Sequence, residues 1–260
     1  MKIITLLTDF GGHDPYVGIM KGVIFGISPR VEVVDLCHGV SPQDVLEAAF
    51  LLHCSYRYFP KGTIHLVVVD PGVGGRRRAL LAEGTHGYYV SPDNGVLSYL
   101  FTGGEIQRVL EITAEEYFLH PVSHTFHGRD IFAPVAAHLA RGETVDRFGR
   151  VTSSYICLPV PAVERKREGH LAGSVLHVDR FGNLVTNISA ADISPFRKIR
   201  VAVKQRSIDG LVESYESLKR GEIGAILGSA GYLEIFSSRG SAARILKAGR
   251  GAPVRVVVTP

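Results

Sequence analysis

The chain has 260 residues, 45% hydrophobic and 21% charged, enough to bury a sizeable core in one large domain or two modest ones. Its net charge is only +4 with histidine neutral, and its densest basic run, Arg76-Arg77-Arg78, is short, so nothing argues for a nucleic-acid partner. No apolar run approaches the ~20 residues of a membrane span. The opening MKIITLLTDFGG is too short and too soon acidic for a signal peptide. Three widely spaced cysteines, Cys37, Cys54 and Cys157, fit a reduced compartment better than a disulfide framework, and a cytoplasmic setting is expected.

The first half alternates strand and helix signals. KIITLLTDF reads as a strand ending at Asp9, followed by the turn Gly11-Gly12. PYVGIMKGVIFGI has helical apolar spacing, and VEVVDL is a second strand. In SPQDVLEAAFLLHCSYRYF, Ser41 is expected as the N-cap and Pro42 as the first helical residue. TIHLVVVD is the third strand, its apolar run Leu66 to Val69 long enough to be buried on both faces before Asp70-Pro71-Gly72 ends it. GYYVSPDNGVLSYLF reads as strand, turn and helix. HGRDIFAPVAAHLARG is a helix with Asp130 near its start and Gly142 past its end. Such alternation implies a parallel sheet covered by helices on both faces.

Beyond residue 150 the texture changes. YICLPVPAVERKREGH reads as a linker whose Glu164-to-Glu168 charges form a solvated connector. Short strands with turns follow, which suggests an antiparallel sheet or small barrel. The expected fold is therefore α/β, with a mostly parallel sheet between helices over residues 1–155, a linker at 156–168 and a smaller β domain at 169–260. There is no internal repeat and no low-complexity tract.

Neither glycine-rich turn has the order of a phosphate loop or a dinucleotide fingerprint. Each does pair glycine with a strand-terminal carboxylate, Asp9 or Asp70, at the edge where open α/β sheets bind ligands. A carboxylate there can accept both hydroxyls of a ribose or orient another polar group. HPVSHTFHGRD offers His120, His124, His127 and Asp130 in a spacing open to zinc, but without a Cys pair or an H-E-x-x-H to strengthen it; clustered loop histidines are otherwise simply polar surface. VDRFGNLVTNI is open to two readings. It is either a hairpin turn with special backbone angles, or a base platform with Phe181 stacking and Asn183 pairing to a purine edge. GSAGYLEIFSSRGSAA adds Ser229, Glu234 and small residues that let a ligand approach the backbone.

Taken together, TDFG, VVVDPGVG…R, SPDNGVL, TFHGRDIFAP, D-x-FGN-x-x-TNI and GYLEI…GSAA resemble the S-adenosylmethionine hydrolases. These are the hydroxide adenosyltransferases, related to the S-adenosylmethionine-dependent fluorinase and chlorinase. Six motifs in order cover nearly the whole chain. The resemblance implies water attack at C5′ of S-adenosylmethionine, giving adenosine and methionine, with the (R)-sulfonium epimer a candidate substrate. It implies no cofactor and no metal, and a homotrimer with each substrate held between the first domain of one subunit and the second domain of the next. The family's Asp-Arg-His triad falls on Asp70, Arg77 and His127, and its ribose-binding Asp on Asp9. The adenine-binding Asn falls on Asn183 with Phe181 beside the base, and Ala242 offers backbone to adenine. Asp179, Ser229 and Glu234 match positions near the methionine part, and Tyr232 joins the substrate-binding set. Arg76 and Arg78 match no role and are expected to face solvent. The halogenases carry Tyr where Asp70 stands, and the fluorinase's halide-binding Ser aligns with Gly128; the fluorinase's extra loop is also missing. Water is thus favoured over halide. The rivals are a halogenase, a non-catalytic sensor of S-adenosylmethionine or adenosine, and a metallohydrolase built on His124, His127 and Asp130.

Overall fold

The structure is a computed structural model that describes residues 2–167, 169–193 and 198–259. The chain divides into two compact units, Met1–Val160 and Pro161–Pro260.

The first unit runs β1 (Ile3–Thr8), α1 (Tyr16–Ile27), β2 (Glu32–Cys37), α2 (Val45–Ser55), β3 (Thr63–Val68), β4 (Ala79–Gly84), β5 (Gly87–Pro92), α3 (Ser98–Thr102), β6 (Ile106–Ile112), α4 (Ala133–Arg141) and β7 (Gly149–Val151). Its sheet has the order β2-β1-β3-β5-β4-β6-β7. The half formed by β2, β1, β3 and β5 is parallel, and β4, β6 and β7 continue it antiparallel. Side chains alternate across β3 with period two. Ile64, Leu66 and Val68 pack into a core with Met20 and Ile24 of α1 and Val135 of α4. Val67 and Val69 pack on the other face with Ala48 and Leu52 of α2 and Leu100 of α3. Both faces are covered, which is why the run Leu66–Val69 has no polar position.

One local expectation changes, and two strands form where no element was expected. α2 starts three residues later than Ser41-Pro42 suggests, because Asp44 is the N-cap and its carboxylate accepts the Glu47 N–H at 3.0 Å. The Glu47 side chain in turn accepts the Ser41 N–H at 2.8 Å. ALLAEG and IQRVLEI, which carry no clear periodicity, form β4 and β6.

The second unit contains β8 (Glu164–Arg167), β9 (His170–Val178), β10 (Leu184–Ser189), α5 (Ala190–Ile193), β11 (Lys198–Val203), β12 (Arg206–Asp209), β13 (Ile223–Leu227), β14 (Tyr232–Ser237), α6 (Ala242–Leu246) and β15 (Pro253–Thr259). The described strands pair antiparallel in the order β12-β11-β15-β9-β10-β14-β13, with β8 added on β9. The sheet curls until the Val212 N–H, just past β12, donates to the Ala225 carbonyl of β13 at 2.9 Å, giving a nearly closed barrel. The segment expected as a linker is largely tied down. Ile156 and Leu158 donate their N–H groups to Asp93 and Ser98 in the first unit, and Glu164–Arg167 is strand β8. Among the described residues, no helix is long and apolar enough to cross a membrane.

Candidate active site

β3 delivers Asp70 to the C-terminal edge of the parallel half of the sheet. Its end is gripped by Asn94, whose side-chain amide donates to the Val69 carbonyl at 2.8 Å and accepts the Val96 N–H at 3.2 Å. Turns at Asp70–Val73 and Gly72–Gly75 then fold the chain back, so that Arg77 returns onto the carboxylate seven residues before it. Arg77 Nε donates to Asp70 Oδ1 at 2.9 Å and Oδ2 at 3.0 Å, and Nη2 donates to Oδ2 at 2.5 Å. The two side chains are 10% and 5% exposed, so little solvent screens the pair. Arg78 departs from the expectation of a solvent-facing side chain: it binds Asp93 Oδ2 at 2.6 Å and the Ser154 carbonyl at 2.5 Å, and it joins the start of β4 to the chain beyond β7. Arg76 is exposed.

His127 comes from the loop before α4, where Gly128–Phe132 forms a single π-helical turn. Arg77 Nη2 lies 2.6 Å from His127 Nδ1. A guanidinium can only donate, so Nδ1 must present its lone pair and the ring proton sits on Nε2. Burial pushes the His127 pKa down, and the Arg77 charge pushes it further, so both causes favour this neutral ring. The guanidinium also sits 5.2 Å from the centre of the Phe132 ring. Fully buried Asp130 fixes the loop by accepting the Ser123 N–H at 2.8 Å and Arg129 Nε at 2.5 Å. The two loops touch at Gly74, which has φ +72°; a Cβ there would lie 2.1 Å from the His124 carbonyl oxygen.

Asp9, Asp70 and His127 line one cleft of about 380 Å³. The Gln43 N–H donates to Asp9 Oδ2 at 2.7 Å. Gln43 adopts φ +65°, and this unusual backbone, which delays the start of α2, aims the N–H at Asp9. Phe10, Tyr16 and Phe126 form one wall, with ring centres 5.2–5.8 Å apart. Gly128 is tightly enclosed: a Cβ would meet Met20 Sδ, Phe126 and Val68 at 3.2–3.3 Å.

The second unit gathers the other expected residues. At the β9–β10 hairpin, Asp179 Oδ1 accepts the N–H groups of Phe181 and Asn183 at 2.9 and 2.8 Å. Asp179 Oδ2 accepts the Asn183 side-chain amide at 2.8 Å, which leaves the Asn183 carbonyl and one amide hydrogen for a ligand. Gly182, at φ +86°, packs against Ser241 and takes the Ala243 N–H on its carbonyl, which docks the hairpin on the start of α6. The result is a pocket of about 610 Å³ lined by Phe181, Asn183, Tyr215, Ser237, Arg239 and Ser241. Phe181 is 76% exposed, its face free to stack. Ala242, the first residue of α6, is fully buried. Glu234 accepts the Tyr215 hydroxyl at 2.9 Å, and burial raises the pKa of both groups, Tyr215 to about 12. Ser229 lies exposed between β13 and β14, and half-buried Tyr232 opens β14. His124, His127 and Asp130 do not converge; among the described residues no three His, Cys, Asp or Glu side chains are grouped to hold a metal ion.

Residues 4–149 match the SAM hydroxide adenosyltransferase N-terminal domain, and residues 173–255 match the SAM hydroxide adenosyltransferase C-terminal domain. The chain belongs to the SAM hydroxide adenosyltransferase family. It is 37% identical to an (R)-S-adenosyl-L-methionine hydrolase of Thermus thermophilus, over 99% of this chain and 100% of that one. A crystal structure of a conserved protein from Thermotoga maritima superposes with a TM-score of 0.92 at 36% identity, covering 98% and 99% of the two chains. A fluorinase of Nocardia brasiliensis is more distant, 28% identical over 98% of this chain and 97% of its own.

Sequence reasoning missed three contributors to this adenosyltransferase fold's clefts. Gln43 acts through its backbone, which no side-chain pattern signals. Asn94 stands in the SPDNG turn, where its chemistry reads as turn formation alone. The Phe10, Tyr16 and Phe126 wall comes from positions far apart in sequence. Phe10 and Tyr16 beside the first glycine turn and Phe126 in the histidine loop were the available signal.

Proposed function

We propose that the chain hydrolyses the C5′–S bond of S-adenosylmethionine to give adenosine and L-methionine, acting on the (R)-sulfonium epimer for which its Thermus relative is named. The observation that carries this reading is the shielded Asp70–Arg77–His127 array opening on the same cleft as Asp9. The sulfonium already leaves as a neutral thioether, so no acid is needed at sulfur. The enzyme has to hold a water in line behind C5′ and tolerate negative charge growing on its oxygen. Positioning of this kind contributes up to roughly 7–11 kcal/mol in favourable cases.

Arg77 keeps its proton and is not the base. His127 offers its Nδ1 lone pair to Arg77, so it serves as an anchor that fixes the guanidinium. The proton acceptor is then Asp70, whose Oδ1 takes only one of the three Arg77 contacts and retains a lone pair for water. As the water oxygen bonds to C5′, the C–S electron pair passes to sulfur and the water proton passes through Asp70 to solvent. Arg77 stabilises the hydroxide-like charge on the oxygen. Asp9 holds the ribose hydroxyls, Asn183 and Phe181 hold adenine with Ala242 backbone, and Asp179, Ser229, Tyr232 and Glu234 hold the methionine part. A carboxylate beside the nucleophile position repels a halide ion, which favours water. The two half-sites belong to neighbouring subunits of a cytoplasmic homotrimer, a setting in keeping with three widely spaced cysteines.

Turnover in ¹⁸O-water tests the bond assignment. Label is expected at the adenosine 5′-hydroxyl and none in methionine. Unlabelled adenosine, free adenine as first product, or methylthioadenosine would overturn it.

A further inference from the structure

Outside the lining of the cleft, a chain of polar contacts runs from Thr8 to the protein surface. Thr8 is fully buried at the end of β1, and its hydroxyl lies 2.9 Å from His38 Nδ1. The same hydroxyl oxygen accepts the Phe10 N–H at 3.3 Å. On the far side of His38, Nε2 stands 2.9 Å from Asp35 Oδ1, off the line of a straight hydrogen bond. Asp35 Oδ2 is held by Lys21 of α1 at 2.6 Å. The His38 carbonyl accepts the Gly11 N–H at 2.8 Å. One residue thus grips the β1 turn twice, by side chain at Thr8 and by main chain at Gly11, and Asp9 lies between the two grips.

The donors and acceptors run in one consistent direction. Phe10 N–H points to the Thr8 oxygen and the Thr8 O–H to Nδ1, while Nε2–H faces Asp35, whose other oxygen is charged-paired to Lys21. Every member but Nε2, which faces Asp35 without a straight hydrogen bond, is satisfied within the protein, so the chain is assembled before substrate arrives.

We propose that His38 is a positioning residue that sets the Asp9 carboxylate for a ribose diol. This rests on the reading of Asp9 as the ribose clamp. It predicts that loss of His38 is felt specifically through the 2′- and 3′-hydroxyls, whereas a general loosening of the fold would weaken every nucleoside alike.

Dissociation constants of adenosine and 2′,3′-dideoxyadenosine, measured by calorimetry on the full chain, separate the two. The unaltered protein is expected to prefer adenosine by about tenfold or more, the ratio that one to two hydrogen bonds to a charged group supply, and Asp9→Asn to lose that preference. His38→Ala and Thr8→Val are each expected to shrink the ratio at least about threefold, while the dideoxy affinity stays within about twofold. His38→Asn, whose amide reaches the place of Nδ1, is expected to restore it. Thr8→Val keeps its shape, so it carries the test if His38→Ala folds poorly. A full preference retained in both variants overturns the inference alone. Equal affinity for the two nucleosides in the unaltered protein overturns the Asp9 reading, and the inference with it.

Discussion

Replacing Arg77 by Lys keeps the charge and removes the fork, and the structure sets the size of the effect. Arg77 spans both Asp70 oxygens and reaches His127 Nδ1 with the same Nη2 that binds Oδ2. A lysine ammonium is a point donor on a flexible stem and keeps at best one strong contact to Asp70. At least one charge-assisted bond is lost, about 1.5–3 kcal/mol, and His127 Nδ1 is left without a donor, about 1–3 kcal/mol more. Part of that sum appears as lost stability and part as lost transition-state stabilisation. At 1.36 kcal/mol per tenfold, kcat is expected to fall by about 10²-fold or more. Adenosine affinity should stay within about threefold, because Arg77 touches no group assigned to adenine or ribose. Single-turnover kinetics with product quantification, alongside calorimetric adenosine binding, separate the two quantities. A kcat within about threefold of the unaltered enzyme, with the fold intact, would refute the reasoning and remove Arg77 from the chemistry.

Gly74→Ala has no room: at φ +72° its Cβ would stand 2.1 Å from the His124 carbonyl, so the loops carrying Arg77 and His127 must part. Its kcat is expected to drop more than about tenfold and its melting temperature to fall, with adenosine binding little changed; unchanged kcat counts against tight registration of the two loops. Buried His65, held by Thr5 at 2.8 Å and stacked on Tyr89, has its pKa pushed down to about 3 by burial, with the His86 charge adding to the shift. That folded value lies below the unfolded one, so the stability it contributes is complete above about pH 6.5 and is lost as pH falls toward about 3. His65→Phe should flatten the melting temperature against pH over that window, and an identical slope would exclude His65 as a contributor. Mixing inactive Asp70→Ala and Asn183→Ala proteins under subunit exchange should restore some activity; none, with exchange demonstrated, argues against sites shared between subunits.

The parallel half of the sheet was legible because β1 and β3 are apolar on both faces and end in turn residues, which leaves few alternatives. β4 and β6 were not, since short apolar runs without alternation look alike in strands and buried helices. β8 reads as solvated charge because it is an edge strand, and charged side chains are what such edges carry. The start of α2 misled for a physical reason: Ser41 and Asp44 are both good caps, and only the need of Gln43 to reach Asp9 selects the second. In the cleft, the Asp70 to Arg77 spacing became meaningful through resemblance. Nothing in three adjacent arginines distinguishes the one that meets His127 from the one that meets Asp93.

The charge pattern of the cleft also bears on traffic through it. Arg77 offsets the charge of Asp70, so the carboxylates of Asp9 and Asp14 leave the cavity wall with a negative field in a chain of net charge +4. The proposed substrate arrives as a cation. Hydrolysis turns the sulfonium into a neutral thioether, and adenosine and zwitterionic methionine carry no net charge. The field that gathers the substrate therefore loses its hold when the bond breaks, and ejection of both products is coupled to the chemistry itself.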